Sequence, residues 1–94
     1  MKNNTFIELL NIMKKQAESS DFERSNFKII YDSCGRIKLE YVNINTNESE
    51  ELETFNKINF NTYVEVLKRF NKFQKDKNKP KIFDYITFYF ESYI

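Results

Sequence analysis

Apolar positions recur along this chain in two periods, and the places where the period changes mark its elements. From Thr5 onward, Phe6, Leu9, Leu10, Met13 and Ala17 return at three- and four-residue spacing with Lys14, Lys15 and Glu18 toward solvent, which predicts an amphipathic helix. Thr5 and Glu8 have the spacing of a capping box, so the helix is expected to start at Thr5 and to end around Ser19 to Asp21. From Asn26 the period drops to two. Phe27, Ile29 and Tyr31 alternate with Lys28 and Ile30, and Ile37, Leu39 and Tyr41 alternate with Lys38 and Glu40, which predicts two strands. Pairing Tyr31 with Ile37, Ile29 with Leu39 and Phe27 with Tyr41 keeps the apolar set on one face and puts Lys28 opposite Glu40. That register leaves Ser33, Cys34 and Gly35 as the loop, with the chain's single glycine where a left-handed residue is needed.

After Val42 the chain turns polar and then acidic, and Glu48, Glu50, Glu51 and Glu53 are expected in a turn. Leu52 to Ile58 fits a third strand by alternation; Leu52, Phe55 and Asn59 also suit a short helix. The strand is preferred because a lone hairpin is marginal. Thr62 and Glu65 repeat the capping-box spacing, and Tyr63, Val66, Leu67, Phe70 and Phe73 or Gln74 form the stripe of a helix running to about Lys77. Pro80 suits the first turn of a last helix over Lys81 to Ile94, in which Lys81, Asp84, Thr87 and Glu91 form a narrow wet edge. Rings and β-branched residues in that stretch also suit a strand. The expected architecture is a single small α+β domain over residues 1–94: an antiparallel meander of two or three strands with one N-terminal and two C-terminal helices, order α-β-β-β-α-α. This layout is loosely similar to that of some small phage-encoded inhibitors of bacterial defence enzymes, anti-CRISPR proteins among them, and the resemblance implies a binding role.

Composition narrows the chemistry more than the fold. The chain has 94 residues, of which 17% are aromatic, so its core is built largely from rings and Ile. Fifteen basic residues nearly cancel fourteen acidic ones, without the basic excess typical of dedicated nucleic-acid binders. There is no histidine, which removes imidazole bases, the Ser-His-Asp and Cys-His nucleophile systems and most zinc sites. One glycine cannot build a phosphate-cradling loop. A carboxylate mechanism using Asp32, Glu40, Asp84 or Glu91 has no distinguishing mark, and Cys34 has only Arg36 nearby to lower its pKa. No enzyme activity, cofactor or metal is expected. Lacking a continuous apolar leader or a run long enough to span a bilayer, the chain is expected in the cytosol with no membrane partner.

Contact surfaces remain. Glu48, Glu50, Glu51 and Glu53 can act as a phosphate mimic toward a nucleic-acid-processing enzyme, or as a plain polar turn. Tyr85, Phe88, Tyr89 and Tyr93 offer flat apolar bodies for a protein partner or a second copy of the chain, or simply fill the core. Lys68, Arg69, Lys72, Lys75 and Lys79, with Lys77 and Lys81 beside them, form a basic flank for nucleic acid or a solvated helix face. The favoured expectation is a non-enzymatic protein-binding module, an inhibitor or immunity-type protein; the alternative is a nucleic-acid-binding regulator.

Overall fold

A computed structural model describes residues 4–20, 24–43 and 45–93. Helix α1 spans Thr5–Glu18, strands β1, β2 and β3 span Ser25–Tyr31, Ile37–Val42 and Ser49–Phe55, and helix α2 spans Phe60–Gln74. A 3₁₀ turn, Lys81–Tyr85, then leads into β4, Ile86–Ser92. The four strands form one mixed sheet in the order β3-β2-β1-β4, with β4 parallel to β1. The expected order α-β-β-β-α-α with a purely antiparallel meander is therefore corrected, and with it falls the layout on which the resemblance to phage inhibitors rested. Among the described residues, no helix is long and apolar enough to cross a membrane.

The correction lies in the last segment. Polar residues at 81, 84, 87 and 91 fit a helix, but a helix would spread the rings over several sides. As a strand, Ile86, Phe88 and Phe90 turn to the core while Thr87, Tyr89 and Glu91 turn away, beside Ser25, Phe27 and Ile29 and beside Asn26, Lys28 and Ile30 respectively. Aromatic and β-branched residues suit that half-buried pleat. Pro80 opens only a short turn, its carbonyl accepting from the Phe83 amide at 3.1 Å.

The hairpin has the register read from the sequence: Tyr31 opposite Ile37, Ile29 opposite Leu39, Phe27 opposite Tyr41 and Lys28 opposite Glu40. Gly35 closes it with φ of 75°, and its carbonyl accepts from the Ile58 amide at 2.8 Å. A Cβ there would lie 3.1 Å from the Ile58 oxygen, so the glycine serves both the turn and the docking of the chain that enters α2.

The third strand begins earlier than expected, so Glu50, Glu51 and Glu53 stand on β3 rather than in a turn, with Glu48 just ahead of them. Register shifts opposite Leu39 and Glu40, which face Glu53 and Glu51, so Leu52 is the extra residue of a bulge and reaches the core rim. An edge strand bonds on one side only, and solvent on the other lets it carry glutamates. Helix α1 begins at Thr5 as read, but in both helices the cap residue differs from the capping-box reading. Asn4 precedes α1 and Thr5 is buried within its first turn. Asn59 caps α2, its Oδ1 accepting from the Thr62 amide at 2.8 Å.

Both helices lie on one face of the sheet, giving a thin dimension of 19 Å. Phe70 of α2 is fully buried, 4.7 Å from the Phe6 ring of α1 and 5.0 and 5.5 Å from Phe88 and Phe90 of β4. Tyr31 stacks on Tyr63 at 4.5 Å and donates its hydroxyl proton to the Ile58 carbonyl at 2.8 Å, satisfying the one polar atom it brings inside. Each such ring contributes roughly 1.5–3 kcal/mol by burial.

Candidate protein-interaction surface

The helices leave the second face of the sheet open, and along its β4 side stand Tyr89 and, just past the strand, Tyr93, with Tyr85 in the 3₁₀ turn that precedes them. Tyr85, Tyr89 and Tyr93 are 43, 44 and 63% exposed. Around them stands a polar frame. Lys28 Nζ lies 3.6 Å from Glu91 and 5.8 Å from the centre of the Tyr89 ring, and the Tyr93 hydroxyl donates to Glu91 at 2.8 Å. Arg24 donates to the Thr87 hydroxyl at 3.2 Å. Ile30, in the same layer and outside the main core, is only 7% exposed, which shows how closely these long side chains cover the strand.

These contacts hold Lys28 in its charged form and the Tyr93 phenol in its neutral form. Desolvation pulls the Lys28 pKa down, but Tyr89, Glu91, Glu40 and Tyr93 outweigh it and the net shift is upward. The hydrogen bond to Glu91 raises the Tyr93 phenol, with the carboxylate's charge and desolvation acting the same way. Lys28, Tyr89, Glu91 and Tyr93 thus form a set prearranged at little entropic cost on contact, since the polar side chains are already held.

The remaining sequence-derived candidates occupy other sides of the molecule. Phe88 points inward against Phe70 and Phe90 and does not join the exposed tyrosines. Glu48, Glu50, Glu51 and Glu53 are exposed on or beside β3, the opposite edge of the sheet from β4. Lys68 and Lys72 are exposed on α2 and Lys75 just past its end, in the helical layer away from the open face. Arg69 lies 4.4 Å over the Phe6 ring, and Lys79 donates its ammonium to the Gln74 carbonyl at 2.9 Å. Beside Arg69 a cleft of about 300 Å³ is lined by Phe6, Lys72, Phe73 and Asp76.

Of the carboxylates, Asp32 is committed to the hairpin. Its oxygens accept from the Cys34 and Arg36 amides at 2.9 and 3.1 Å and from the Arg36 guanidinium at 2.9 Å. Desolvation acts to raise its pKa, but these donors outweigh it and hold the carboxyl below the usual aspartate range. Asp84 is exposed in the 3₁₀ turn, and Glu91 is taken by Lys28 and Tyr93. Cys34 is an exposed free thiol at the loop tip. Among the described residues, no three His, Cys, Asp or Glu side chains converge to hold a metal ion.

Sequence reasoning missed Arg24, Lys28 and Ile30 as parts of one surface with Tyr89 and Tyr93. Alternation of Lys28 and Ile30 with the buried positions of β1 placed them on the outer face; what was lacking was the strand that would stand beside them. Compared with known proteins, the chain matches no family model, no curated protein and no solved structure, so a functional reading rests on its own residues.

Proposed function

We propose that this protein is a non-enzymatic protein-binding module, an inhibitor or immunity-type protein that covers a functional surface of a larger protein with the open face of its sheet. The observation that carries the reading is the pair of exposed Tyr89 and Tyr93 on a face without a helix over it, framed by Lys28, Glu91 and Arg24, with Tyr85 exposed in the turn ahead of β4. Tyrosine is enriched at binding hot spots because it buries a large rigid area and keeps a hydrogen-bonding tip. The absence of histidine from the chain supports contact rather than bond-making as its mode of action.

The test compares proteins captured from the source cell by the wild type and by Tyr89→Ala/Tyr93→Ala, both checked for folding by circular dichroism. A partner retained by the wild type and lost from the equally folded variant supports the reading; equal retention refutes it.

Exposed Lys68 and Lys72 on α2, with Lys75 just past its end, favour a second reading, in which this flank contacts nucleic acid. Such binding loses affinity steeply from low to moderate salt, whereas a tyrosine-centred protein contact changes little. If no duplex or single strand shifts the protein at low salt, this second reading is refuted.

A further inference from the structure

We infer that the outer edge of β4 pairs antiparallel with the β4 edge of a second copy, joining two sheets into one continuous eight-stranded sheet. The main chain points to this first. Tyr93 donates its amide to the Tyr31 carbonyl at 3.0 Å, so in the parallel register of Ser25 with Ile86 through Tyr31 with Ser92 the odd-numbered residues of β4 bond to β1. The amides and carbonyls of Phe88 and Phe90 therefore face outward, and no described residue bonds them there. A row of open backbone groups of this kind is a template for another strand.

The side chains select a second copy as the occupant. From Tyr85 to Tyr93 the sequence reads Tyr-Ile-Thr-Phe-Tyr-Phe-Glu-Ser-Tyr, with aromatic residues at matching distances on either side of Tyr89: Phe88 and Phe90, then Tyr85 and Tyr93. A two-fold axis at Tyr89 sets each strand against its own reverse, as an isologous interface requires. Tyr89 then meets its own copy, and Phe88 meets Phe90 on the helical side, where both rings are half-buried. This register also places the hydrogen-bonding residues Phe88 and Phe90 opposite one another, as antiparallel exchange of both bonds demands. Thr87 falls opposite Glu91 of the copy, which brings Arg24, already bonded to the Thr87 hydroxyl, alongside a carboxylate of opposite charge. No partner protein is needed for this association, so it stands or falls separately from the binding function proposed above.

Sedimentation velocity and light scattering on the full chain give the first measurement, with twice the 11.5 kDa chain mass expected. Cross-linking in a Cys34→Ser background gives the second. Tyr89→Cys is expected to form a disulfide between copies under mild oxidation by diamide, because the central pair is a close, non-hydrogen-bonded one. Thr87→Cys and Glu91→Cys are expected to cross-link when mixed but not when alone, since each then stands roughly 13 Å from its own copy. A single-chain mass across the soluble concentration range overturns the proposal and leaves the edge to a strand of another protein. A two-chain mass with no cross-link through Tyr89→Cys overturns it equally, by placing the contact elsewhere.

Discussion

Strands β3 and β4 are the two edges of one sheet, each seven residues long, and they treat the same exposure in opposite ways. β3 carries Glu50, Glu51 and Glu53 and is distorted by a bulge at Leu52. Set against its own reverse about Leu52, it would bring Glu51 opposite Glu53, a like-charge pairing that repels. β4 has Glu91 as its single acid, already neutralised by Lys28, and presents rings on both faces. One edge is closed to further pairing by charge; the other is left available. The lesson is that an edge is defended by what its side chains do to an incoming strand, since the open backbone is common to both.

The largest blow to the comparison is to remove the ring that holds β4 down. Phe70→Ala empties a fully buried site beside Phe6, Phe88 and Phe90. It should cost about 3–5 kcal/mol in urea denaturation, a large part of the total stability of a small domain. A loss below about 1 kcal/mol would show that β4 does not depend on α2.

Next comes a split between neighbours on β4. Phe88→Glu forces a carboxylate toward the helices and should destabilise by about 2 kcal/mol or more. Tyr89→Glu, on the open face, should leave the denaturation midpoint within about 0.5 kcal/mol of wild type while weakening self-association. Equal destabilisation by both would contradict the inward and outward sorting of the strand.

A smaller effect on stability, with a visible change in behaviour, follows from unguarding β3. Glu50→Thr/Glu51→Thr/Glu53→Thr should change stability by less than about 1 kcal/mol. The variant should form larger assemblies by light scattering, because both edges can now pair. A scattering profile identical to wild type would mean that the bulge alone protects β3.

The smallest expected effect is a pH dependence near the hairpin, away from both edges. Asp32 has a folded pKa below its unfolded value, so its contribution is complete above about pH 3.9 and disappears as pH falls through the depressed folded value. Asp32→Asn should therefore be less stable than wild type at neutral pH, with the gap closing in acid. A gap that stays constant down to strongly acidic pH would remove the carboxylate's charge from the explanation.

Local pattern was enough for much of this molecule. The stripe of Phe6, Leu9, Met13 and Ala17 specified α1, the stripe of Tyr63, Val66 and Phe70 specified α2, and alternation with Gly35 at the loop specified the β1–β2 register residue by residue. These elements were legible because the partners of each residue lie three, four or a hairpin's length away. The tyrosines were legible as candidates, but not their separation from Phe88, because a helix and a strand sort the same nine residues to different sides.

Tertiary structure decided the rest. Polar positions in the last segment satisfied a helical spacing and an alternating one at once, and what chose the strand was the vacant edge of β1, far away in sequence, together with the ring of Phe70 above it. The same holds for β3, whose glutamates read as a turn until the edge of β2 supplied hydrogen bonds that outweighed their poor strand preference. Amino-acid order settles elements whose stabilising contacts are near neighbours along the chain; where competing local conformations are close in energy, the long-range pairing available in the folded protein settles the outcome.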